Sequence, residues 1–113
     1  MNFEDLAIKL EMEKQEFIEM IGLFLEASVT DLTDLHSALK KEEGLKAARA
    51  AHSIKGAAVS LGLTEIYELA KEIEIEAIEN HFSQIDEDIL ALREKLDHMA
   101  EELKKEQRTQ GER

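Results

Sequence analysis

Apolar residues along the chain recur at steps of three and four over most of its length. Ile21, Leu25, Ser28, Leu32, Leu35 and Leu39 alternate between the two steps, which aligns them on one face of an α-helix. The pattern predicts a long helix from about Lys14 to Leu39 with that row as its buried stripe. Ahead of it, Asn2 with Asp5 three positions on resembles a capping box and opens a short amphipathic helix through about Leu10. The run KKEEG then breaks the periodicity and puts a loop at Gly44. A third helix is expected from Leu45 to Leu61, stopped by Gly62. Thr64 is placed to cap a fourth through about Glu79, and Ser83 with Asp86 to cap a fifth. The fifth fades into a polar segment, residues 105–113, expected to fray.

Connections this short between long helices imply antiparallel neighbours. The fold class is therefore all-α: an antiparallel up-down four-helix bundle, a single domain over residues 1–104, with the short N-terminal helix laid across one end. Composition agrees. The 113 residues include no proline and five glycines, aromatics are few, and no β-branched runs bounded by turn residues occur.

Charge narrows the partners. Fourteen basic against 26 acidic residues leave a net charge of −12, which disfavours nucleic acid and anionic membrane surfaces, since both are bound by neutralising phosphates. The absence of cysteine removes disulfides, thiolate chemistry and cysteine metal sites. The acidic N-terminus does not read as a signal peptide, and no stretch has membrane-spanning length, so a cytoplasmic protein is expected.

The third helix carries the candidate chemistry. With Ile54 at the centre of its buried face, Ala47, Ala50, Ala51, Ala57, Ala58 and Leu61 fall within about 60° at about 100° per residue. His52 falls at about 160°, facing outward. Leu45, Ala48, Gly56 and Val59 surround it, with Lys55 at the side, where a charged protein would ordinarily show Glu and Lys. An apolar rim around one titratable group reads as a docking surface. Gly56 costs about 1 kcal/mol relative to alanine inside a helix, and one turn beyond His52 its missing side chain leaves room beside the imidazole. Lys55 brings a mobile positive charge suited to a phosphoryl group. Met20, Phe24 and Ala27 form a side stripe on the second helix, read as core packing or as an extension of the docking surface. His36, His81 and His98 have no comparable surroundings and read as surface or boundary residues. No Gly-rich phosphate loop, Ser-His-Asp grouping, zinc spacing or Glu-x-x-His pair appears.

The segment Ala51-His52-Ser53-Ile54-Lys55-Gly56, followed by Gly62, resembles the active helix of histidine-containing phosphotransfer (HPt) domains. The likeness runs from about Ile21 to Glu79, through LFLEASVTDLTDLHSAL before it and LTEIYELAKEIE after it. It implies a four-helix bundle whose histidine takes a phosphoryl group from the aspartate of a response-regulator receiver domain and passes it to another. His52 would then be phosphorylated, Lys55 the phosphoryl-side cation, and Gly56 the clearance residue. Many members place Gln or Glu on the next helix, 22 positions after the histidine, hydrogen-bonded to its ring; that position is Glu74 here. The acid is closer to the domains of chemotaxis-type kinases, although no kinase or ATP-binding domain is present. Glu74 lies at the edge of an apolar stripe of Ile66, Leu69, Ala70, Ile73 and Ala77, within reach of a neighbouring helix. A carboxylate there would accept Nδ1–H and leave Nε2 free for in-line attack.

The resemblance implies a phosphocarrier, not an enzyme, with no cofactor of its own and Mg²⁺ supplied by the receiver. Its partners would be receiver domains and a hybrid or chemotaxis-type histidine kinase, met by Leu45, Ala48, Val59, Met20 and Phe24 around the histidine. A monomer is expected. The alternative is a non-catalytic helical adaptor that binds a partner helix or domain, for which His52 would be dispensable.

Overall fold

Asn2 opens the first helix as its N-cap, its side-chain oxygen accepting the Asp5 N–H at 3.1 Å. The computed structural model describes residues 2–111, which form α1 (Phe3–Lys9), α2 (Lys14–Lys40), α3 (Gly44–Ser60), α4 (Thr64–Ile78) and α5 (Phe82–Gly111). α3 packs most extensively on α4 and then on α2; α4 packs on α5, and α5 closes the ring against α2. The four long helices thus enclose one core, with Phe17, Ile21, Leu35, Ile54, Ile73, Ile85, Leu92 and Met99 fully buried. α1 packs on α2 and buries Phe3 and Ala7, the Phe3 ring tilted against Phe17 at 6.1 Å between centroids. Asn2, Leu6 and Lys9 share a groove with Gly62, Leu63 and His98, so α1 lies over the end where α3 gives way to α4.

Each connection turns through a left-handed residue: Glu11, Glu42, Gly62 and Asn80 have φ of 56°, 53°, 70° and 59°. Gly62 therefore stops α3 as expected. Gly44 does not form the loop. Glu42 takes the left-handed position instead, and Gly44 becomes the first residue of α3. A Cβ at Gly44 would stand 2.6 Å from the Ala77 carbonyl oxygen and 2.5 Å from Asn80 Oδ1, so glycine lets the start of α3 touch the end of α4. Two expected caps also move. Leu63, not Thr64, occupies the N-cap of α4, without a side-chain hydrogen bond, and α5 begins at Phe82, which places Ser83 inside the helix.

The α2 stripe is wider than one row. Ile21, Ser28 and Leu35 are buried and Leu25, Leu32 and Leu39 half-buried, while Phe17, Ile18, Phe24 and Ala38 are buried beside them, because α2 is flanked by α3 on one side and α5 on the other. α5 continues through Gly111, past residue 105 where a polar tail was expected; Leu103 is buried and Lys14 pairs with Glu106 at 3.1 Å. Residues 112 and 113 of that expected tail lie outside the described residues. No helix among the described residues is long and apolar enough to cross a membrane.

Candidate functional site

Alanines line the inner face of α3, so it approaches α4 closely and the two helices set the register of the site. His52 points outward, its side chain 67% exposed. Across the helix pair, its Nδ1 lies 2.7 Å from Glu74 Oε2 on α4. Lys55, one turn along α3, donates from Nζ to the other oxygen, Glu74 Oε1, also at 2.7 Å. One carboxylate therefore bridges the imidazole and the ammonium.

This geometry settles the tautomer. Burial pulls the Glu74 carboxyl upward, but hydrogen bonds from Lys55 and His52 and the positive charge of Lys55 outweigh it and hold the group below the ordinary carboxylate range. An ionised carboxylate only accepts, so Nδ1 must donate its N–H to Oε2. The lone pair of the neutral ring is then on Nε2, at the far side of the ring from Glu74.

Lys55, expected as a mobile cation beside His52, is paired with Glu74 here. Its side chain is 23% exposed and committed to a carboxylate that is itself 16% exposed, an ion pair largely withdrawn from solvent. Gly56 is exposed, and a Cβ built on it would meet no atom within 4 Å. Among the described residues, no neighbour outside its own turn of helix requires a glycine there. The open space lies beside the imidazole, one turn away on the same face.

The rim is partly as expected. Leu45 and Val59, two turns either side of His52, are exposed, and so is Met20 of α2. Two expected rim residues are not. Ala48 is only 7% exposed, whereas Ala57, placed in the buried arc, is exposed. Both corrections have one cause: α3 leans more on α4 than on α2, which rotates its buried arc toward Ala48 and away from Ala57. Phe24 is 4% exposed and belongs to the core, so α2 exposes Met20 but not Phe24. Sequence reasoning passed over Ile78, an exposed apolar residue one turn beyond Glu74 on α4; its offset of four from Glu74 was the available signal. His36, His81 and His98 are exposed and stand apart, the latter two beside Glu79 and Glu102.

The sequence matches the family model described as Hpt domain over residues 19–106. Among solved structures, the fold is similar to the crystal structure of histidine-containing phosphotransfer protein B (HptB) from Pseudomonas aeruginosa PAO1. The TM-score is 0.80 at 23% identity, over 92% of this chain and 90% of that one. At that identity the likeness speaks to the fold. Comparison with curated proteins gives no match.

Proposed function

The chain belongs to the Hpt domain family, and on that premise we propose that His52 carries the phosphoryl group in a two-component phosphorelay. The observation that supports this most directly is the 2.7 Å contact from Nδ1 to Glu74 Oε2 on an exposed ring, which leaves Nε2 as the nucleophile.

The step is a displacement at phosphorus. Nε2 approaches in line with the phosphorus–oxygen bond of an aspartyl phosphate on a receiver domain. The nitrogen–phosphorus bond forms while the phosphorus–oxygen bond breaks, and the aspartate carboxylate leaves with the electron pair. Nδ1 keeps its proton, and the positive charge that develops on the ring faces Glu74. The reverse step returns the phosphoryl group to a second aspartate. Such transfer asks for positioning and charge neutralisation more than covalent assistance. This chain positions the ring. The aspartate and the Mg²⁺ that offsets phosphoryl charge come with the partner, which makes this domain a phosphocarrier. Leu45, Val59 and Met20 form the apolar rim on which that partner rests, and Gly56 gives it clearance.

The test is transfer from phosphorylated receivers of the same genome. Acid-labile, base-stable phosphate is expected on the wild-type chain and none on His52→Gln. No transfer from any receiver of a full panel refutes the reading. Partner binding that persists unchanged in His52→Gln, without phosphate on the wild type, identifies the helical adaptor instead.

A further inference from the structure

A phosphoryl group arriving at Nε2 brings two negative charges to the outer face of α3, and Lys55 is already bound to Glu74 at 2.7 Å. α3 carries three cations, Lys46, Arg49 and Lys55, and no carboxylate between Gly44 and Ser60, in a chain of net charge −12. Two of the three are neutralised: Lys46 by Glu43 at 2.8 Å and Lys55 by Glu74. Arg49 is exposed and forms no ion pair among the described residues. It stands three positions before His52, on the adjacent turn, where Cβ atoms lie about 5–6 Å apart. It lines the α2–α3 groove together with Asp31 and Asp34 of α2, with neither of which it forms an ion pair among the described residues.

We propose that Arg49 binds the phosphoryl oxygens at His52 Nε2, while Lys55 stays with Glu74 and fixes the carboxylate that orients the ring. This rests on the reading of His52 as the phosphoryl acceptor. The guanidinium is planar, always charged, and presents two parallel N–H donors that match two phosphoryl oxygens. As the nitrogen–phosphorus bond forms and the donor's bond to phosphorus breaks, Arg49 keeps its protons and neutralises charge on the oxygens in transit. Its reach from an exposed position lets it fold over the group after transfer.

Arg49→Gln and Arg49→Lys are compared with wild type using two donors, a phosphorylated receiver and potassium phosphoramidate. The second transfers its phosphoryl group to Nε2 with loss of ammonia and has no protein surface. With Arg49 exposed, both variants are expected to keep the wild-type circular dichroism. Arg49→Gln should form phosphohistidine about tenfold more slowly with both donors, the effect of losing one charged hydrogen-bonding group; Arg49→Lys should recover part of the rate. In the wild type, the Arg49 guanidinium N–H resonance should shift when His52 is phosphorylated. Wild-type rates for Arg49→Gln with both donors, or a resonance that stays in place, overturn the proposal while the role of His52 stands. Slowing confined to the receiver also overturns it, since Arg49 then touches the partner and not the phosphoryl group. If the wild type takes phosphate at His52 from neither donor, the role of His52 falls and that of Arg49 with it.

Discussion

Gly56 is the residue whose presence the chain's own packing does not explain. A glycine inside a helix costs about 1 kcal/mol relative to alanine, yet a Cβ there would meet nothing within 4 Å. The proposed clearance for a partner at His52 would offset that cost. Gly56→Leu should keep the helical signal and a thermal midpoint no lower than wild type, while transfer from a receiver is lost. Transfer at the wild-type rate in that variant would refute the clearance role. The sequence made this residue legible because its offset of four from His52 needs only helical geometry. It made Glu74 legible through the family's spacing of 22. It did not reveal that Lys55 and His52 share that carboxylate, because both offsets along α3 and the register between α3 and α4 decide which side chains meet. That Arg49 forms no ion pair among the described residues was hidden for the same reason: pairing shows only after every neighbouring helix has been placed.

Between elements, the telling contact is a carboxyl pair where α4 meets α5. Glu76 is buried in α4, and its Oε2 has no hydrogen-bond partner. Burial pushes its carboxyl up to about 7, assisted by a hydrogen bond with Asp88 on α5 and by the negative charges of Asp88, Glu72 and Glu79. The unfolded chain releases this proton near the ordinary 4.5, whereas the folded one holds it to about 7. Stability from the protonated form is thus complete below the lower value and is lost as pH rises through the upper one. Glu74 acts oppositely and outside this window, since its lowered value affects stability only on further acidification. Thermal midpoints of the wild type should fall between about pH 4.5 and about pH 7 and level off above it. Glu76→Gln should flatten that slope and gain about 1–3 kcal/mol at the alkaline end, because the amide donates to Asp88 without a buried charge. Equal slopes in the two proteins would rule out Glu76 as the source. Element boundaries were largely legible from periodicity. The exceptions, Gly44, Thr64 and Ser83, sit at helix starts, where Glu43 and Leu63 cap α3 and α4 without any side-chain hydrogen bond to mark them. Nothing in the sequence of α4 alone says that α5 covers Glu76.

At the scale of the whole molecule, binary patterning specified an all-α bundle because four apolar stripes with short connections leave few other ways to bury them. Patterning was silent on which neighbour each helix leans toward. That preference moved Ala48 inward and Ala57 outward, and with Phe24 in the core it redrew the exposed rim around His52. What emerges is an acidic bundle with one acid-free helix, α3, whose outer face presents an imidazole held from behind by a carboxylate. The arrangement commits to one nitrogen. Nitrogen-15 labelling of histidine, with the phosphorylated protein read by phosphorus and nitrogen NMR, locates the nitrogen–phosphorus bond directly. The expected spectrum has the phosphoryl group on Nε2 of His52 with Nδ1 still protonated; a phosphoryl group on Nδ1, or phosphate on any residue other than His52, would contradict it.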